Sequence, residues 1–120
     1  MNRFIKLCKT LSPEVTLNVR RCDTFFTRLV GLMGCKELEE NGGILLVQKK
    51  ESRLDSAIHM LFMNSDITVL WLDKDMVIVD KRLARKWHLV YIPRKPSKFV
   101  LEIHKDVFNH FDIGDRLVMT

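Results

Sequence analysis

Between residues 57 and 79 the chain reads AIHMLFMNSDITVLWLDKDMVIV, apolar segments interrupted only by Asn64-Ser65-Asp66 and Asp73-Lys74-Asp75. Polar turn formers at such short intervals stop each apolar run before it reaches helical length, which is the pattern of successive strands. The stretch is the middle of a β core. Ile58, Met60 and Phe62 alternate with Ala57, His59, Leu61 and Met63, and Ile67, Val69 and Trp71 with Thr68, Leu70 and Leu72; on strands these sets face opposite ways. The hairpin that follows has no glycine for its left-handed position. Asp75 or Met76 is expected there, at a cost of about 1 kcal/mol.

The flanks extend the β pattern. Residues 4–9 form a first strand, Ser12-Pro13 a turn, and residues 15–20 a half-buried strand in which Val15, Leu17 and Val19 share a face. At Asp23 the period changes: a helix is predicted over about Thr24 to Met33, with Asp23 as its cap and Phe25, Leu29, Leu32 and Met33 at helical spacing. Ile44-Leu45-Leu46-Val47 is continuously apolar and so buried on both faces. Residues 49–56 read as an exposed charged loop, residues 87–92 as a short strand, and residues 99–104 as a strand with Phe99, Leu101 and Ile103 on one face. A single helical turn at residues 107–111 and a last strand at 117–119 complete the chain. About nine strands and one helix without βαβ alternation predict a mainly β domain over residues 1–120, an antiparallel β-sandwich or barrel with that one flanking helix.

Composition bounds the function classes. With 47% hydrophobic and 29% charged residues the chain folds without a disulfide staple. Cys8, Cys22 and Cys35 are odd in number and far apart, in neither a disulfide framework nor a zinc spacing. Lys6 and Lys9 break the first apolar run, which predicts no signal segment, no membrane insertion and a cytoplasmic protein. Twenty Lys and Arg against fifteen Asp and Glu give a net charge of +5, scattered as short pairs in place of one dense run. That scatter disfavours nucleic acid as a partner.

Candidate chemistry is sparse. His59, Met60 and Met63 have the donors of a soft-metal site, but strand alternation turns His59 away from Met60 and sets Met63 about 13 Å along; no metal and no cofactor are expected. Glu102 and His104 share a strand face about 7 Å apart, within reach of an acid/base pair. A partly buried Glu102 would need a cation, for which Arg28 is the candidate. Cys22 before a helix start reads as an inert buried thiol, and of the two tryptophans Trp71 alternates as core, which leaves Trp87 as the one available for stacking.

The order Arg28-x-x-Gly31-Leu32-Met33, Ile58-His59-Met60-x-Phe62-Met63, Leu72-Asp73, Val100-Leu101-Glu102 and Gly114-Asp115 resembles the bacterial and archaeal domain of unknown function 192 family, over nearly the whole chain from Thr16 onward. The resemblance implies a small β-sandwich of jelly-roll-like character with a helix on its flank, and no particular activity. Where members carry proline and then an acidic residue, this chain has Asp66 and Thr68; where they carry glycine, it has Met76 and Asp106. By that match Thr68 occupies the position of the family's acidic side chain and joins Arg28, His59 and Glu102 as a candidate ligand-binding residue.

No nucleophile, base and orienting group can be assembled, so the reading is a small non-catalytic module that binds a ligand or a protein partner. One alternative is a small enzyme whose pocket is lined by Arg28, His59 and Glu102. Another is a weak nucleic-acid binder using Arg82, Arg85, Lys86, Arg94, Lys95 and Lys98.

Overall fold

Strand alternation needs partners on both sides before it becomes a core, and the pairing supplies them. The computed structural model describes residues 3–23 and 38–119. Among these are strands β1 (Arg3–Lys9), β2 (Ser12–Cys22), β3 (Gly42–Ser52), β4 (Ile67–Leu72), β5 (Ile78–Ala84), β6 (Ser97–His104) and β7 (Leu117–Met119), with a 3-10 helix at Lys105–His110. They make one sheet in the order β5-β4-β6-β3-β2-β1-β7. Every neighbouring pair is antiparallel except β2 and β3, which run parallel from Asn18 opposite Gly42 to Cys22 opposite Leu46. A parallel pair cannot be closed by a tight hairpin; the connection here is residues 23–41. The helix expected over residues 24–33 lies outside the described residues.

The two edge strands meet at one end. Val77, entering β5, pairs with Arg116, entering β7; the Ile78 amide donates to the Asp115 carbonyl and the Leu117 amide to that of Met76, both at 2.9 Å. The sheet thus curls into a half-barrel, the mainly β architecture that the sequence predicts. Its concave face buries Leu17, Leu45, Leu70, Leu101, Ile103 and their neighbours, with Val107 and Phe111 from the 3-10 segment as the plug. Its convex face buries Ile44, Leu46, Val69, Trp71 and Val100 beneath Ile58, Met60, Met63 and Tyr91. Strands β3, β4 and β6 are therefore packed on both sides, as the continuous run Ile44 to Val47 requires.

Several local expectations give way to this packing. Residues 57–63 are no strand: Ile58 alone pairs with Tyr91, and the chain turns through Phe62 at φ 63°. The reason is burial, since Met60 and Met63 both enter the convex core and a spacing of three would put them on opposite sides of a regular strand. Phe62 is consequently thrown outward. The loop expected at residues 49–56 begins later, because β3 continues through exposed Lys49, Lys50 and Glu51 to pair Ser52 with Ser97. The first turn is Thr10-Leu11, and Pro13 already lies in β2. Residues 87–92, expected as a strand, are mostly exposed loop. Met76 does take the left-handed position, at φ 65°, in a turn where the Asp73 carboxylate accepts from the amides of Asp75 (2.9 Å) and Val77 (3.0 Å).

Candidate functional site

Glu102 sits in the middle of β6, opposite Ile44 of β3 and Val69 of β4. This pairing puts its side chain on the convex face between two branched aliphatic residues, where it is 6% exposed. Burial disfavours the charged form and raises its carboxyl from 4.5 to about 7. Arg20 lies in the same row one strand further, opposite Ile44, and Cys22 follows on that face. Burial pushes the Cys22 thiol up, Arg20 opposes this by its charge and a hydrogen bond, and the Glu102 carboxylate adds to the rise. The thiol is thus held neutral, the inert state that the sequence suggested.

The predicted site residues are not gathered in one place. Thr68 precedes Val69 on β4, so it faces into the half-barrel while Glu102 faces out. Its hydroxyl donates to the Lys105 carbonyl at 3.3 Å, fastening the start of the 3-10 helix. His59 is half-buried in the loop that covers the convex face, its Nδ1 accepting from the Leu61 amide at 3.2 Å. Arg28 lies outside the described residues. His104, on the Glu102 face, does not complete an acid/base pair: its Nδ1 accepts from the Asp106 amide (3.0 Å) and lies 3.7 Å from that residue's carboxylate, capping the 3-10 helix. Among the described residues no group of three or more His, Cys, Asp or Glu is arranged to hold a metal.

A second region was only partly legible in the sequence. The loops over residues 53–66 and 85–96 are knitted together above the convex core. Arg53 Nε donates to the Pro93 carbonyl (3.0 Å), Ile58 and Tyr91 exchange backbone hydrogen bonds (3.0 and 2.8 Å), the Met60 amide donates to His88 (2.9 Å), and the Trp87 amide to Met60 (2.7 Å). The Lys86 amide donates to the Asp66 carboxylate at 2.9 Å. On this frame six large apolar side chains face solvent: Leu54 (76% exposed), Phe62 (54%), Trp87 (56%), Leu89 (71%), Val90 and Ile92. The Phe62 and Trp87 rings meet edge to face, 5.3 Å between centroids.

Both of these aromatics stand at positive φ, 63° and 67°. Left-handed backbone costs an ordinary residue roughly 1–2 kcal/mol, so the two rings are presented at the expense of local strain. The same two loops carry exposed Arg53, Arg85, Lys86, Arg94 and Lys95, against Asp55 and the partly buried Asp66. The sequence singled out Trp87 and the basic pairs but placed Phe62 on one strand face with Ile58 and Met60, which the structure buries while it turns Phe62 outward. Nothing in composition or spacing marks that turn.

Comparison with known proteins fixes the lineage. The model of the family described as an uncharacterised conserved region, domain of unknown function 192, matches residues 8–119. The chain belongs to this family. Curated relatives include UPF0127 proteins of Thermococcus kodakarensis, 42% identical over 70% of this chain and 52% of that one, and of Pyrococcus furiosus, 30% identical over 90% and 91%. The chain spans about half the length of the Thermococcus relatives that head the comparison, at 52% and 54%.

Two crystal structures share the fold. A Sinorhizobium meliloti protein given as a proposed transcription regulator superposes with a TM-score of 0.84 at 19% identity, covering 99% of this chain and 94% of that one. A protein of unknown function from Novosphingobium aromaticivorans does so at 0.82 and 15%, covering 98% and 84%. At these identities the likeness speaks to the fold of the domain of unknown function 192 family alone. Of the positions where this member departs from the family pattern, Asp66 fastens the two loops through Lys86 and Met76 tolerates the left-handed turn.

Proposed function

We propose that this protein is a non-catalytic binding module whose working surface is the loop platform of residues 53–66 and 85–96. The observation that carries the reading is the pair Phe62 and Trp87, two solvent-facing aromatics each held at positive φ on a hydrogen-bonded frame. Strain that survives at an exposed ring contributes nothing to the core and is characteristic of surfaces that contact something else. The exposed aliphatic side chains Leu54, Leu89, Val90 and Ile92 stand on the same two loops, and exposed apolar surface concentrated in this way marks interaction sites.

The test is a photo-crosslinking side chain placed at position 89, on the platform, and separately at position 11, an exposed leucine in the β1–β2 turn. Position 89 should trap a protein or lipid that position 11 does not. That molecule, once purified, should bind the native chain at least about tenfold more tightly than a Trp87→Ala/Leu89→Ser variant. Equal trapping at both positions, or binding indifferent to the double variant, removes the platform from consideration.

A second reading is favoured by Glu102, a carboxyl buried among aliphatics that is half-protonated near neutrality and so can both donate to and accept from a small polar ligand. It places a ligand site on the convex face at Glu102. A fragment screen read by amide chemical shifts distinguishes the two: shifts clustered at residues 100–104 support it, and shifts confined to residues 85–92 oppose it.

A further inference from the structure

We infer that the loop platform docks on an anionic lipid surface, a conclusion that rests on the binding-module reading and names its partner. Four apolar side chains of the platform are aliphatic: Leu54, Leu89, Val90 and Ile92. Aliphatic groups gain nothing by stacking on nucleobases, and the Phe62 and Trp87 rings meet each other edge to face, so most of the exposed apolar side chains offer a single-stranded nucleic acid no stacking surface. A hydrocarbon boundary accepts all six apolar side chains equally well. Trp and Phe with neighbouring aliphatics are the side chains that settle at the level of lipid headgroups.

Charge decides between a lipid and a second copy of the chain. Five exposed cations, Arg53, Arg85, Lys86, Arg94 and Lys95, stand on the two loops, against Asp55 and Asp66 on those loops and the buried Asp80; Asp66 is engaged by the Lys86 amide and Asp80 by that of Arg94. Two such sets of charges face to face would repel. An anionic leaflet attracts them instead, while the long Lys and Arg stems let the charges reach the headgroups as the apolar side chains descend. The frame is held by its own hydrogen bonds, since those between the two loops fix Trp87 and His88 to Met60 and Tyr91 to Ile58, on either side of Leu89. Docking therefore requires no refolding. This is attachment to a surface, and none of the described helices is long and apolar enough to cross a membrane.

The chain carries its own reporter. Of its two tryptophans Trp71 is fully buried in the sheet, so changes in emission on docking come from Trp87. The experiment mixes the whole chain with vesicles of phosphatidylcholine alone and of phosphatidylcholine with about 30% phosphatidylglycerol, at low salt and at about 0.5 M salt. The chain should sediment with the anionic vesicles at low salt, at least about tenfold less with the neutral ones, and be released by high salt. On docking, Trp87 emission should shift to the blue and lose its quenching by acrylamide. Arg94→Ala and Lys95→Ala should each weaken partitioning about fivefold, Leu89→Asp should abolish the emission shift, and Leu11→Asp should change nothing.

Absence of sedimentation with anionic vesicles at low salt overturns the inference. So does binding that leaves Trp87 quenchable and survives Leu89→Asp, because that is adsorption by charge alone. Protection of Trp87 by a single-stranded RNA oligonucleotide, or by self-association, with no effect of vesicles would assign the platform to those occupants. If vesicles fail while the crosslinker at position 89 yields a protein that binds, the module reading stands and only the lipid falls; if both fail, both fall.

Discussion

Inside the half-barrel, Leu17, Leu45, Leu70, Leu101 and Phe111 meet in an apolar cluster beside Thr68, whose hydroxyl is satisfied by the Lys105 carbonyl, while on the convex face Glu102 and Cys22 lie among Ile44, Val69 and Val100. The charges that approach the concave core stop at its rim. Lys81 donates to the carbonyls of Phe108 (3.3 Å) and Phe111 (2.9 Å) with its ammonium 4.1 Å from the Phe108 ring centre, and Lys9 stands over Phe111. One face is thus closed and satisfied by its own chain. The other carries a buried ionisable group and, above it, loops that hold apolar surface in water. The difference separates what keeps the sheet folded from what is available for use.

The largest expected effect tests the closed face. Phe111 is wholly buried as the plug of the concave core, and Phe111→Ala removes a ring and leaves a cavity in that core. A loss of about 3–5 kcal/mol in denaturant unfolding is expected. A loss under about 1 kcal/mol would mean that the half-barrel is not closed where the 3-10 segment enters it.

The next effect tests the convex face and has a sign fixed by its chemistry. The Glu102 carboxyl is raised from 4.5 to about 7 by burial. Below pH 4.5 it is protonated folded or unfolded and contributes nothing. Between there and about 7 the unfolded chain releases its proton first, so stability falls as pH rises, and the full penalty is present above 7. Glu102→Gln keeps the shape without the charge. Relative to the native chain it should gain stability with increasing pH, reaching on the order of 3 kcal/mol at pH 8. The neighbours on its face, Arg20 and Cys22 on β2, stay in both proteins, so the difference between the two curves reports residue 102. Parallel curves would show that the carboxyl is solvated.

What the sequence disclosed follows from how locally each feature is determined. Phe99, Leu101 and Ile103 alternate over a whole strand, and Ile44 to Val47 is apolar without interruption, so β6 and the buried part of β3 are legible from a few residues each. The 3-10 turn and β7 are equally local. Which face Thr68 shares with Glu102 is a different matter: it depends on Val69, not Thr68, standing opposite Glu102. That register joins residues more than thirty apart in the chain, and no local pattern encodes it. The parallel step from β2 to β3 was hidden for the same reason. Phe62 failed as a strand residue because the demand of Met60 and Met63 for one core outweighed the alternation that placed all three. Trp87 was legible as an exposed ring, and the turn that sets Phe62 beside it was not.

The smallest effect sharpens the comparison most. Trp87 contributes little to folding beyond its edge contact with Phe62 and its amide hydrogen bond to Met60, which any residue but proline can make. Both Trp87→Ala and Trp87→Gly discard the ring, so they lose the same contact and differ only in the backbone that remains. At φ 67° alanine keeps the steric penalty of the left-handed region and glycine escapes it. Trp87→Gly should therefore be more stable than Trp87→Ala by about 1 kcal/mol, and close to the native chain, while both lose the surface that the platform presents. Such a result would show that the native tryptophan is kept against the preference of its own backbone, as expected of a site maintained for contact and not for folding. Equal stability of the two variants would mean that the loop relaxes out of the left-handed region once the ring is gone, so that Trp87 itself holds the turn in place.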